Sequence, residues 1–170
     1  MTDICQPIKS LGWLGETWGF WIQTGAFVLS ALAGVAVIYY NGKQGRLRAT
    51  IDLIIHQKSD KDLLACIDRV YKLSLNKVQF SKYANDHDSD EFRCILKVLN
   101  NHEFIALGIR QGTFDEEIYK KMQYSNVMKV WGSSAGIISE IRNSQNIQTL
   151  FQEFEWLSRR WAKTPLKKST

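Results

Sequence analysis

Apolar residues are unevenly spread along this chain. From Trp18 to Tyr40 no charged side chain occurs in 23 residues, WGFWIQTGAFVLSALAGVAVIYY. Beyond Lys43 the apolar positions instead recur at spacings of three and four, the period of amphipathic helices. Two kinds of helix are therefore predicted, one apolar all round and the others one-sided. Pro7 and Pro165 are the two prolines, so the 157 residues from Ile8 to Thr164 lack the strongest helix breaker. The fold class expected is all-α.

As a helix, the uncharged run reaches roughly 35 Å at about 1.5 Å per residue, enough to cross a hydrocarbon core of about 30 Å. Trp13, Trp18 and Trp21 at one end and Tyr39 and Tyr40 at the other match interfacial aromatics. A cleaved signal peptide fits less well, because Asp3, Lys9 and Glu16 do not make a basic leader. The expected organisation is a short N-terminal segment over 1–17, a transmembrane helix over 18–40 and a helical domain over 41–170. Lys43, Arg46 and Arg48 follow the span while Lys9 alone precedes it. The positive-inside rule then predicts a single-pass membrane protein with its N-terminus outside and its C-terminus in the cytoplasm. Cys66 and Cys94 are expected as separate reduced thiols there, with Cys5 outside as a free thiol.

Within the span, Ala26, Ser30 and Gly34 are spaced i, i+4, i+8, and small residues at that spacing let another helix approach. Gln23 adjoins that face, and Glu16, Gln23 and Ser30 are seven apart. A lone Gln in lipid is costly unless it pairs or meets water. This stripe predicts either helix packing in a homo-oligomer or the lining of a pore.

The residues beyond the span predict a bundle. Arg46 to Gln57 contains no breaker and is expected to continue the span. A second helix is expected from Asp60 to about Tyr83, with Leu63, Leu64, Ile67, Val70, Tyr71 and Val78 inward. Asp88 and Glu91 resemble a capping box opening a third helix with Phe92, Ile95, Leu96 and Leu99 inward. Gly108 and Gly112 bracket its end, and Asp115 caps the next helix. Tyr124 to Ser144 gives a further helical pattern, in which Gly132 and Gly136 allow a bend or a close crossing. A last helix is expected from Asn146 to Lys163, with Ile147, Leu150, Phe154, Leu157 and Trp161 as a bundle or coiled-coil seam.

The chain carries 22 Lys and Arg against 17 Asp and Glu. Before Lys43 only Lys9 is basic, so the excess lies in the helical domain. Arg69, Lys72, Lys77 and Lys82 occur with no acid among residues 69–82, and Arg93 and Lys97 share a helix side. Arg159, Arg160 and Lys163 are interleaved with Trp156 and Trp161, and Lys167 and Lys168 come after them. Such surfaces suit anionic ligands: single-stranded nucleic acid stacked on aromatics, or anionic membrane lipids. Arg69, Lys72, Lys77, Arg93, Lys97, Arg159, Arg160 and Lys163 are the candidates for contact.

Catalytic chemistry is not legible. His102-Glu103 opens like a zinc-protease helix, but Ala106 stands where the second His is required. Gly108 to Gly112 lacks the Lys-Ser/Thr end of a phosphate loop. No catalytic residue, metal ligand or cofactor is expected, and the chain does not read as an enzyme. Glu103 falls on the apolar face of its helix, and a buried carboxylate needs a partner. Arg110, seven residues on, is the expected one, as a structural pair or as a ligand or gating pair.

Residues 101–121, NHEFIALGIRQGTFDEEIYKK, resemble the signature of a family of small bacterial proteins with one N-terminal span and a helical cytosolic domain of unknown function. Glu103, Ile105, Ala106, Gly108, Ile109, Arg110, Gly112, Phe114, Asp115, Glu116 and Tyr119 carry it. The chain is also similar to membrane effectors of the Hailong type of anti-phage defence. That resemblance implies an oligomeric ion channel, with a tetramer favoured, controlled by a nucleic-acid or nucleotide signal from a partner nucleotidyltransferase. The competing expectation is a passive membrane-anchored module that docks a protein partner.

Overall fold

The computed structural model describes residues 17–84 and 86–166. The expectations placed on Cys5, Trp13, Glu16, Lys167 and Lys168, and on the N-terminal segment up to residue 16, lie outside the described residues. The chain is all-α, as its periodicity predicts. Among the described residues five helices succeed one another: α1 (Trp18–Ser59), α2 (Lys61–Leu75), α3 (Asp90–Arg110), α4 (Glu116–Gln145) and α5 (Gln152–Lys163), with a 3₁₀ turn at Phe80–Tyr83 between α2 and α3. Two compact units divide after Gln44.

In the first unit, α1 is exposed all along its apolar run, with Phe27, Leu29 and Val35 each about two-thirds accessible. It is long and apolar enough to cross a membrane. The helix does not stop at Tyr40. Its helical residues run on to Ser59, 42 in all. The expected continuation over Arg46 to Gln57 is therefore present as helix.

The second unit buries one core. Ile95 and Leu99 of α3, Val127, Ile137 and Ile138 of α4, and Phe154, Leu157 and Trp161 of α5 are each no more than 2% exposed. Burial of that completeness is the main favourable contribution to such a domain. The C-terminal end of α1 joins it through Thr50, Ile54 and Gln57. Thr50 Oγ1 accepts from the Asp115 backbone N–H at 2.7 Å, which fixes the end of α1 to the start of α4.

Helix ends are where expectation and structure part. α2 does not reach Tyr83. It ends at Leu75 because Lys77 turns left-handed, with φ 55°. The Lys77 and Val78 N–H groups then donate back to the Ser74 and Leu73 carbonyls. This is a Schellman closure with lysine in the position glycine usually takes, so no breaker residue announces it. The chain released there forms the 3₁₀ turn, which buries Phe80 completely. Gly136 of α4 faces that turn: a Cβ there would lie 3.2 Å from Ser81 Cβ. The close crossing expected of Gly136 is real, whereas Gly132 faces open space.

Ser89, not Asp88, caps α3, accepting from the Phe92 N–H at 3.2 Å. Asp115 does cap α4, accepting from Ile118 N–H at 3.0 Å. The separate pattern over Tyr124 to Ser144 belongs to the same helix, which runs without interruption from Glu116. Asn146 does not open the last helix. It is the left-handed residue that closes α4, and α5 starts at Gln152. Ile147 is consequently 45% exposed, while Phe154, Leu157 and Trp161 of the expected seam fill the core of this one chain.

The two cysteines expected to stand apart do not. Cys66 of α2 and Cys94 of α3 form a disulfide, with Cα atoms 4.8 Å apart. Their facing positions come from the pairing of α2 with α3, which spacing in the sequence cannot show.

Candidate functional site

Three features of the chain bear on function: the stripe on α1, the basic residues of the domain, and a polar cavity at the end of α1. On α1, Gln23, Ala26, Ser30 and Gly34 are not buried in the single chain. A side chain added at Gly34 would meet nothing within 4 Å. The stripe is accessible to a second helix or to water.

The basic residues are more committed than their sequence suggests. Arg69 reaches across from α2 to Asp90 and Glu91, at 3.9 and 3.8 Å. Lys72 pairs with Asp68 at 2.6 Å and Arg93 lies 3.9 Å from Asp88. Arg159 pairs with Glu155, and Arg160 with Glu116 at 2.8 Å. The Glu116 carboxylate also raises the Arg160 pKa, chiefly by hydrogen bonding. Lys77, Lys97 and Lys163 have no ion pair among the described residues. Five of the eight candidates would thus exchange an existing carboxylate for an anionic ligand. The pairs of Arg69, Lys72 and Arg93 are exposed and individually weak, about 0–1 kcal/mol, so their exchange costs little, whereas Arg159 and Arg160 meet the less exposed carboxylates of Glu155 and Glu116.

The aromatic half of the stacking expectation is corrected. Trp161 is fully buried and donates its indole N–H to Glu116 at 3.1 Å. Trp156 lies near the guanidinium groups of Arg110 and Arg160, 5.4 and 5.8 Å from its centroid. Neither ring is an open platform for a base. Trp156, Arg159, Arg160, Lys163 and Thr164 still line one open surface hollow, so the α5 cations do converge.

Glu103 and Arg110 do not pair with each other, and this expectation is also corrected. Both hold the start of α5. Phe151, left-handed at φ 58°, precedes that helix and offers no side-chain cap. Glu103 reaches over from α3 and accepts from the Glu153 and Phe154 N–H groups at 3.2 and 2.7 Å. It supplies from another helix what an N-cap residue supplies locally. Arg110 forks onto Glu153, with both oxygens at 2.9 Å from one guanidinium nitrogen. The charge pattern locates these two residues, but the third member, Glu153, becomes their partner only through the fold.

No sequence pattern marks the cavity. It has a volume of about 230 Å³ and lies where the end of α1 meets α2, α3 and α4. Gln57 comes from α1, Asn101 and His102 from α3, and Tyr119, Gln123 and Asn126 from α4. Ile54, Leu64, Ile67, Val98 and Val130 form apolar walls, and Lys58 and Tyr71 complete the lining. Gln57 donates to Asn101 Oδ1 at 3.1 Å and also reaches the Tyr119 hydroxyl. Asn126 donates to Gln123 Oε1 at 3.0 Å. Asn101 Nδ2 is buried without a partner. His102 stacks on Phe154, with centroids 4.8 Å apart, and burial lowers its pKa to about 4. It is neutral at pH 7. Burial likewise raises the Tyr119 pKa, keeping the phenol protonated. The cavity interior therefore carries amides, a neutral imidazole and a phenol, but no charge. A polar set scattered over separate helices leaves no motif in the sequence.

No group of His, Cys, Asp and Glu able to hold a metal ion occurs among the described residues. A family profile, that of the domain of unknown function DUF4760, matches residues 22–161. No curated protein and no solved structure matches the chain.

Proposed function

Since the chain belongs to the DUF4760 family, whose function its description leaves open, we propose from its own geometry that it is a homo-oligomeric membrane effector. Its apolar helices assemble in the bacterial inner membrane, with a tetramer as the favoured form. They enclose an ion path whose state is set by a nucleic-acid or nucleotide signal at the cytoplasmic domain. The observation that carries the reading is α1 itself. One uninterrupted helix bears the stripe of Gln23, Ala26, Ser30 and Gly34 and, further on, Thr50, Ile54 and Gln57 among the buried residues. A ligand that favours one packing of Thr50, Ile54 and Gln57 biases the helix carrying the stripe, by as much as its affinities for the two states differ. The anti-phage setting and the partner nucleotidyltransferase come from the chain's similarity to membrane effectors of the Hailong type, not from the signature over residues 101–121.

A passive anchor docking a protein partner is the second reading. Phe104 and Leu107, three residues apart on α3, are 58% and 43% exposed and would suit such a contact. Substitution in the stripe separates the two. Ser30→Leu and Gly34→Leu in the full chain, reconstituted in planar bilayers, are expected to abolish current or assembly. Variants that assemble and conduct as the parent does would remove the stripe from the ion path. A parent chain that passes no current under any condition would favour the anchor.

A further inference from the structure

The Cys66–Cys94 bond stands in tension with the compartment proposed for its domain. Lasting disulfides belong to oxidising compartments, whereas those of the cytosol are mostly transient and redox-sensing. The bond joins two half-buried residues at the edge of the core, one on α2 and one on α3. A small thiol can approach such a position, as it cannot approach a disulfide sealed in a core.

The helix that the bond secures is otherwise lightly held. Three side chains of α2, Leu63, Val70 and Ser74, are buried, against eight on α3. Val70 belongs to the core, and Ile67 and Leu73 pack against it in part. The polar ties of α2 to its neighbours are exposed. Arg69 meets Asp90 and Glu91 at 3.9 and 3.8 Å, and Tyr71 accepts from Lys129 at 3.2 Å. Elements with few buried contacts are the first to open locally, so the covalent tie is the strongest link between α2 and α3. It also lies at a junction. Asp60 alone separates α2 from the end of α1. On either side of Cys66, Leu64 and Ile67 wall the cavity into which Ile54 and Gln57 of α1 face.

We propose that Cys66 and Cys94 form a reversible thiol–disulfide exchange site, through which the low-molecular-weight thiol pool sets whether α2 is tied to α3. The oxidant is a small disulfide such as oxidised glutathione. One cysteine, as its thiolate, attacks that disulfide, forming a mixed disulfide and releasing one small thiol. The second cysteine attacks the protein sulfur of the mixed disulfide, closing the Cys66–Cys94 bond and releasing the other small thiol. Two electrons pass from the protein to the small disulfide. The two protons given up by the cysteines end on the two released thiols. Excess small thiol runs the same steps backwards. Closed, the bond holds α2 against α3 and steadies the end of α1 that leads into it; open, it leaves α2 to its few buried contacts. The inference rests on the proposed function for its compartment. None of its measurements reads a current, so the channel and the exchange site fail separately.

The full chain in detergent is equilibrated across a series of ratios of reduced to oxidised glutathione, and the free thiols are alkylated and counted by intact mass. The bond is expected to open and re-form in the folded chain as the ratio changes. A bond that resists excess reduced glutathione until denaturant is added would overturn the proposal, as would thiols that never pair in excess oxidised glutathione. Hydrogen exchange of the α2 amides should be about tenfold or more faster in the reduced chain, with a smaller change in α5. An equal change in both helices would overturn the local release of α2. The double variant Cys66→Ser and Cys94→Ser should exchange at every ratio as the reduced parent does, and a response to glutathione in that variant would assign the effect elsewhere. The titration of the parent decides without it if the variant does not fold. In cells quenched with acid and alkylated, free thiols are expected before treatment with a thiol oxidant and the bond after it. A bond present throughout would place the domain in an oxidising compartment and overturn the proposal.

Discussion

Glu103 offers the sharpest test of how the domain is held. Its carboxylate takes two of the four N–H groups that a helix start leaves unpaired, at 3.2 and 2.7 Å, and α5 has no cap of its own. Loss of an ordinary N-cap costs about 0.5–2 kcal/mol. Hydrogen bonds to a charged group are worth about 1.5–3 kcal/mol each. Removing both with Glu103→Ala should therefore cost about 2–4 kcal/mol. Glu103→Gln keeps an acceptor oxygen but loses the charge opposite the helix dipole, worth about 0.3–1 kcal/mol or up to about 2 when partly buried. Its cost should be about 1 kcal/mol. Arg110→Ala breaks the fork to Glu153, whose carboxylate is buried, and the contact with Trp156, and should cost about 1–3 kcal/mol without freeing the α5 amides. Chemical denaturation of the full chain in detergent, read by tryptophan fluorescence, gives these differences. Hydrogen exchange localises them: the Glu153 and Phe154 amides should lose protection in Glu103→Ala. Unchanged protection at those two amides in Glu103→Ala would refute the capping role.

The same structure makes further outcomes testable. The Cys66–Cys94 bond closes a separation of 28 residues, for which chain entropy gives about 3.6 kcal/mol. Reduction or Cys66→Ser should lower the stability of the oxidised chain by up to that amount, and full alkylation of both thiols in the oxidised folded protein would contradict the pairing. His102 has a folded pKa of about 4 against an ordinary 6.5. Between those values the unfolded chain binds the extra proton, so stability should fall as pH drops from 6.5 to 4, by about 3 kcal/mol at most. His102→Leu should remove that part of the pH dependence, and a parallel curve for the variant would show that another group is responsible. Gly112 sits at φ 72°, so Gly112→Ala should destabilise by about 1 kcal/mol; a neutral effect in denaturation would mean that the turn rearranges.

Much of this architecture is legible in residue order, and the exceptions have identifiable causes. The uncharged run fixes the apolar part of α1, and the 3.6-residue period finds Phe92, Ile95 and Leu99 as well as Phe154, Leu157 and Trp161. Asp115 is legible as a cap because an acid-rich first turn lies directly after it. The stop of α2 is invisible because Lys77, which has no special tolerance for positive φ, occupies the left-handed position. Asn146 is ambiguous because Asn both opens and closes helices, and only the tertiary path decides which. Charge patterning finds Glu103 and Arg110 but misses Glu153, 50 residues from Glu103, because such pairings are made by packing. Arg69 and Arg160 look available in sequence because Asp90, Glu91 and Glu116 are distant along the chain from them, whereas Lys72, Arg93 and Arg159 meet acids within five residues. The cavity is illegible for the same reason. Its polar groups come from separate helices, and each alone resembles an ordinary surface amide.

That this chain forms a ligand-controlled ion path is tested most directly by the current through the purified full chain in a planar bilayer. It is recorded with and without single-stranded oligonucleotide on the side of the helical domain. Discrete conductance steps are predicted, with an open fraction that changes, in either direction, when oligonucleotide is added to that side alone. A bilayer that stays silent with demonstrably inserted protein, or a current indifferent to oligonucleotide on both sides, would contradict the proposal.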